Sequence, residues 1–141
     1  MEKWHDAESE RDVWLATGLD AWPAKLPWSS AGFGLMLLAE HVVDVRELVE
    51  HAAAAGLALA CVWGDASAVI EDEIVDLVRD DVVTTSHPYE TVEEALEIFL
   101  AMLPVTARET TCEAWCILAA TPELASRARR ALEHRHASPA G

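Results

Sequence analysis

The residue types best suited to chemistry gather in one short string, Thr84-Thr85-Ser86-His87-Pro88-Tyr89-Glu90. An imidazole beside a carboxylate can take up and return a proton near neutral pH. That makes His87 a candidate general acid/base or ligand, oriented by Glu90 or Asp65. Thr84 and Thr85 are placed as hydrogen-bond donors. His41, Trp63, Gly64 and Ser86 complete a candidate ligand-binding set. A purely structural account of the same residues also stands: Asp65 as a helix cap, the threonines as strand-end residues and His87-Pro88 as a turn. The string contains no nucleophile with an adjacent base, so it implies no reaction class.

Other chemistries lack their residues. No Gly-x-Gly-x-x-Gly follows a strand, because Gly32 and Gly34 open the first apolar run instead of following it, and no Gly-Lys-Ser/Thr phosphate loop occurs. A Gly-x-Ser-x-Gly elbow is missing as well. Cys112 and Cys116 stand four apart on an expected strand, on one face but about 13 Å from each other. That separation is too great for a disulfide or a shared tetrahedral metal. Cys61, Cys112 and Cys116 therefore read as core thiols. No His-x-x-x-His pair exists among His5, His41, His51, His87, His134 and His136. Glu71, Asp72 and Glu73 fan around a helix at about 100° steps and cannot share one ion, so the cluster they form with Asp76 reads as a solvated or partner-facing helix. No metal and no cofactor is expected.

Alternating elements would place these residues. Gly32–Ala39 is a short apolar run ending at Glu40-His41, which suits a buried strand. Asp44 opens a helix with Glu47 as its capping-box partner, and Val45, Leu48, Val49, Ala52 and Ala53 lie on one face. Gly56 is placed to end it. Leu57–Val62 reads as a strand, about 67–79 as a helix and Asp81–Thr85 as a third strand. Thr91 and Glu94 cap a helix whose stripe is Val92, Ala95, Leu96, Phe99, Leu100 and Leu103, stopped by Pro104. A fourth strand lies within Thr111–Ala119, and Thr121-Pro122 starts a last helix running towards Arg135. Strands alternating with helices predict a parallel sheet with helices on its faces. The expected fold is a small α/β three-layer sandwich, Rossmann-like or flavodoxin-like, with about four mostly parallel strands and four helices. Its strand ends would gather the candidate residues along one edge.

Residues 1–30 differ from the rest, with four of the six tryptophans (Trp4, Trp14, Trp22, Trp28) and the prolines Pro23 and Pro27. They read as an N-terminal arm packed on the domain, with a short helical turn within 12–19 and an extended 21–28. Residues 31–136 are a single α/β domain, and 137–141 a frayed tail.

The formal charge is −15, from 25 carboxylates against 10 Lys plus Arg, and 52% of residues are apolar. That apolar content supports a packed core. The acidity disfavours nucleic acid and anionic membrane surfaces as partners, since both reward Lys and Arg. No run of about 18 uncharged apolar residues is present, and the first residues lack a basic-then-apolar signal. With an odd number of cysteines, these features lead to the expectation of a cytoplasmic location. The charge is uneven: residues 1–120 hold 23 acidic and 6 basic side chains, whereas residues 121–141 hold two acidic and four basic. The arginines of the last helix are free to meet the acidic face of the same molecule or of a second copy.

Three stretches carry a resemblance. Ala60-Cys-Val-Trp-Gly-Asp65, then Asp81–Glu90, then Val92-Glu-Glu-Ala-Leu-Glu-Ile-Phe99 resemble a family of small bacterial α/β proteins of unknown function. That family has a Trp-Gly strand end and a Thr-Thr-x-His-x-x-Glu segment. Leu26-Pro-Trp28 and the following strand are similar too, so the likeness covers most of residues 26–120. The chain departs from the pattern at Ser86, where the family has tryptophan, and in lacking a cysteine soon after Gly64. The resemblance implies the fold and an interest in His87, but no activity.

Two functional expectations follow. The first is an acidic, non-enzymatic protein-binding module, immunity- or antitoxin-like or an accessory of bacterial defence, acting on a partner with a basic surface. A homodimer is a further option. The second is a small enzyme or ligand-binding domain using His41, Asp65, Thr84, Thr85, His87 and Glu90.

Overall fold

A computed structural model describes residues 1–28, 32–102, 114–135 and 138–139. Pro104, Cys112, His136 and the first residues of the expected fourth strand lie outside them. In chain order the strands are β1 (Glu2–Asp6), β2 (Arg11–Thr17), β3 (Phe33–Leu38), β4 (Leu57–Trp63), β5 (Val83–His87), β6 (Ala114–Ala119) and β7 (Ser138–Pro139). The helices are α1 (Arg46–Ala54), α2 (Ser67–Leu77), α3 (Val92–Ala101) and α4 (Pro122–His134), with a 3-10 turn at Leu19–Ala21.

All seven strands form one sheet, ordered β5-β4-β3-β6-β2-β1-β7. The five from β5 to β2 are parallel, while β1 pairs antiparallel with both β2 and β7. β3, β4 and β6 are near-continuous apolar runs because both their faces are covered. Phe33, Leu35, Leu37, Val62, Cys116 and Leu118 pack beneath Leu48, Val49 and Ala52 of α1 and Ile70 and Ile74 of α2. On the other face Met36, Leu38, Cys61, Trp115 and Ile117 meet Leu96 and Phe99 of α3 and Leu124, Ala128 and Leu132 of α4. Gly34 makes room there: a Cβ on it would lie 2.6 Å from the Trp115 ring. That indole packs edge-on to Phe99 with centroids 4.9 Å apart.

The mixed α/β sandwich is thus as expected, but seven strands replace the expected four. The additional ones come from the chain ends. Residues 12–19 hold no helical turn, and 2–6 and 11–17 are strands of the sheet itself, joined by a turn in which Glu10 adopts φ 56°. Trp4, Val13 and Leu15 belong to the α3/α4 core, so Trp4 is an interior residue. Only residues 18–28 lie over the surface, where Trp22 and Trp28 stack against Phe33 at centroid distances of 6.4 and 4.9 Å. Ser138 and Pro139, placed by sequence in a frayed tail, pair with His5 and Trp4.

Helix starts follow local chemistry unevenly. At α3 the capping box is complete, Thr91 Oγ1 accepting from the Glu94 amide at 3.1 Å and Glu94 Oε1 from the Thr91 amide at 3.1 Å. At α4 the Thr121 hydroxyl accepts from the Leu124 amide at 3.3 Å, with Pro122 in the first turn. The box expected from Asp44 and Glu47 does not form. The N-cap of α1 is Val45, and the Asp44 carboxylate instead accepts from the Arg46 amide at 3.1 Å.

Arg127 and Arg129 of α4, and Arg135 at its C-terminal cap, pair within the molecule, whereas Arg130 is exposed. Arg127 pairs with Glu93 at 3.2 Å and Arg129 with Glu2 at 2.6 Å. Arg135, 7% exposed, donates to both carboxylate oxygens of the fully buried Asp6 at 3.1 and 3.2 Å and also meets Glu8 and Glu97. Burial by itself raises the Asp6 pKa. Hydrogen bonds from Arg135 and Ser9, with the guanidinium charge, outweigh that and hold it below the usual carboxylate value.

Candidate functional site

The carboxyl ends of the five parallel strands form one edge, stitched by backbone hydrogen bonds. The Gly64 amide donates to His87 O, Ala39 to Trp63 O, Ala120 to Leu38 O and Gly18 to Ala119 O, at 2.7 to 3.3 Å. Each bond ties the residue just past a strand, or closing it, to the end of its neighbour. At Gly64 the closeness excludes a side chain: φ is 126°, and a Cβ would sit 1.9 Å from Ala39 O.

The sequence-derived candidates all lie on or near this edge, but they divide into separate groups. β5 runs two residues further than its apolar pattern suggested, so His87 is its last residue and not part of a turn. Alternation along a strand puts Thr85 and His87 on one face and Thr84 and Ser86 on the other. Thr85 Oγ1 and His87 Nε2 are 2.8 Å apart, while Thr84 has no place in that contact. Glu90 Oε1 stands 3.5 Å from His87 Nδ1. The Trp63 indole N–H donates to Glu90 O at 2.7 Å, and the Arg127 guanidinium lies over the Trp63 ring, 5.8 Å from its centroid. A desolvation contribution that raises the Glu90 pKa is outweighed by its own amide, by His87 and by the Tyr89 amide, leaving the carboxyl below its usual range.

His87 is 6% exposed. The polar contacts of its ring run to Thr85 and Glu90, two and three residues away. The imidazole Nδ1 is buried without a hydrogen-bond partner, and a substrate would need an approach to it. The open space on this edge lies elsewhere, in a cleft of about 650 Å³ lined by Glu40, His41, Val42, Trp63, Asp65 and Ala66. His41 and Asp65 are exposed there.

A second cleft, of about 420 Å³, was not anticipated as a unit. Glu40 and His41 line it together with Gly18, Leu19, Asp20, Ala120 and Thr121. It lies where the neighbours β3 and β6 send their following helices to opposite faces, α1 to one and α4 to the other. Such a reversal opens a crevice beyond the strand ends in doubly wound sheets. Glu40-His41 is therefore the ridge between two depressions. The sequence marked Thr121 at this edge, but not Gly18 or Asp20, because β2 had not been read as a strand.

His51 was also missed. Trp22 Nε1 donates to His51 Nδ1 at 2.8 Å, and Ala24 O lies 2.9 Å from Nε2. An indole N–H only donates and a carbonyl only accepts, so the proton belongs on Nε2. This neutral ring clips the 18–28 segment to α1, beside a cleft of about 440 Å³ that Asp20, Asp44 and Glu47 help to line. His51→Leu removes both partners and is expected to weaken the clip by about 1–3 kcal/mol. Tryptic cleavage after the exposed Lys25 should then accelerate, and His51→Gln, which keeps an acceptor and a donor, should cut more slowly than His51→Leu.

Among the described residues no three His, Cys, Asp or Glu side chains gather as a metal site requires. No helix among the described residues is long and apolar enough to cross a membrane. Burial pushes the Cys116 thiol far up, which removes it as a nucleophile. No protein-family model matches the chain, and no curated protein matches it either.

Proposed function

We propose that the chain is an acidic, non-enzymatic protein-binding module acting in a bacterial cytoplasm, immunity- or antitoxin-like or a defence accessory, on a partner with a basic surface. Its strand order fits a Rossmann-like sheet: counted from β3, the strands β5-β4-β3-β6 run 3-2-1-4. One observation carries the reading. Arg127, Arg129 and Arg135 are already paired with Glu93, Glu2 and Asp6, so they leave the excess of carboxylate elsewhere uncompensated. Glu47, Asp72, Asp76 and Glu94 stand exposed on α1, α2 and α3, with no cationic partner among the described residues. A cationic protein approaching this surface is attracted over distances comparable to the Debye length.

The test is an association measured against salt. Proteins of the native host retained on the immobilised chain are identified, and the purified partner is titrated at about 50 and about 300 mM salt. A basic partner whose affinity falls about tenfold or more supports the reading. A neutral or acidic partner, or a salt-independent Kd, overturns it.

A second reading, a ligand-binding or enzymatic edge, is favoured by the two clefts that share Glu40 and His41. In it His41 is the accessible imidazole, and His87, with Thr85, Glu90 and Asp65, supports the edge.

A further inference from the structure

The sheet ends differently at its two margins. At one, β7 is two residues long and includes Pro139, whose nitrogen carries no hydrogen to offer a neighbour. At the other stands β5, Val83-Thr-Thr-Ser-His87, five residues paired only with β4 among the described residues. The strand contains no proline and no lysine, and its pairing with β4 runs without a bulge.

The direction of its backbone groups can be read from one bond. His87 O accepts from the Gly64 amide, so His87 turns its peptide groups towards β4. Alternate residues of a strand point these groups to opposite sides. Val83 and Thr85 therefore also face β4, whereas Thr84 and Ser86 present their N–H and C=O outward. Carboxylates flank the margin, Asp80 and Asp81 before it, with Arg79 3.4 Å from Asp81, and Glu90 after it beside His87, while Tyr89 at its exit is 96% exposed.

We propose that the free edge of β5 is the docking line for an extended basic segment of the partner protein, which adds to the sheet as a further strand. This rests on the binding-module reading and names the means of attachment. Main-chain bonds at Thr84 and Ser86 give the segment its register, as in other strand-addition complexes. Its Lys or Arg side chains meet Asp80, Asp81 and Glu90, and the Tyr89 ring offers a face to a guanidinium. A second copy of the chain fits worse. An antiparallel β5 pair centred on Thr85 sets Asp80 against Glu90 of the other copy, and each body carries a net charge of −15.

The probe is a fluorescent eight-residue peptide alternating Lys or Arg with Val or Thr, titrated onto the full chain by anisotropy. Controls are the same peptide N-methylated at alternate residues and one with Glu replacing its basic residues. Binding in the micromolar range is expected for the first peptide alone. Amide exchange at Thr84 and Ser86 should slow on binding. Thr84→Pro deletes an outward donor and leaves the β4 ladder intact, so it should weaken binding about tenfold or more with an unchanged melting temperature. Asp80→Asn with Asp81→Asn should weaken binding without touching the backbone.

If the N-methylated peptide binds as well, or Thr84→Pro binds within about twofold of wild type, contact is through charge alone. The edge proposal then falls and the binding-module reading stands. No binding by the basic peptide also overturns the edge proposal, while the salt titration of the host partner judges the reading separately. Concentration-dependent dimers abolished by Thr84→Pro would overturn it in favour of self-pairing.

Discussion

Asp6→Ala is expected to lower the free energy of unfolding by about 3 to 5 kcal/mol, the range for stripping one partner from a buried ion pair. Asp6 is wholly buried, and both its oxygens accept from Arg135, which is itself 7% exposed. Deleting the carboxylate strands a guanidinium that cannot lose its proton. Glu8 and Glu97 remain within 3.2 Å of it, but they are more than half exposed and water weakens their pull. The loss should therefore fall near the lower end of the range. Urea titration is the measurement, with a lowered midpoint and an unchanged slope. The double variant Asp6→Leu, Arg135→Met should recover most of the loss, since an apolar pair owes no desolvation.

The same carboxyl sets an acid limit. Its folded pKa lies below the ordinary aspartate value, so its contribution is complete above that ordinary value. As pH falls through the lower folded pKa the contribution disappears. Wild-type stability should thus drop steeply below about pH 4, and Asp6→Ala should show a shallower fall over that window. An equal slope in both proteins would remove Asp6 from the account.

Gly64→Ala is the second large effect. The residue adopts φ 126°, and the new methyl would meet a backbone carbonyl, Ala39 O, at 1.9 Å. A flexible side chain can swing aside, but a carbonyl tied into a strand end cannot. The cost is expected to exceed about 3 kcal/mol, combining backbone strain with overpacking. Gly18→Ala is the control, because its φ is 86° with nothing within 4 Å of the added carbon. It should cost only about 1–2 kcal/mol, the strain alone. Comparable midpoints for the two variants in urea would refute the collision. Where Gly64→Ala folds, the β3–α1 loop must shift, and the cleft lined by Glu40, His41 and Trp63 should change shape with it.

The central elements were legible because their causes are local. Thr91 and Glu94 fix the start of α3 within four residues, and the runs in β3, β4 and β6 are apolar because both faces are covered. β1 and β2 were not legible. Asp6 points into the interior, which breaks the alternation a strand should show, and the partner that makes its burial tolerable lies 129 residues away. The site was legible in part for a similar reason. Strand ends can be read from the sequence, and they do share an edge, but strand order cannot be. The order places His87 at the margin of the sheet and His41 at its centre. Residue types alone made the buried imidazole look more promising than the exposed one.

The placement of β6 has a further consequence for how the chain folds as it is made. Trp14 of β2 lies beside Cys116 of β6, roughly a hundred residues later, and β3 also waits for β6 on one side. Until that strand emerges, β1 and β2 have no sheet to join, while β3, β4 and β5 can assemble with α1 and α2. The N-terminal hairpin is thus synthesised first and incorporated late. Closing so long a loop slows the final step, and Trp4, Val13 and Leu15 remain uncovered until it is complete. A nascent chain of this protein is most open to chaperones and proteases along β1 and β2.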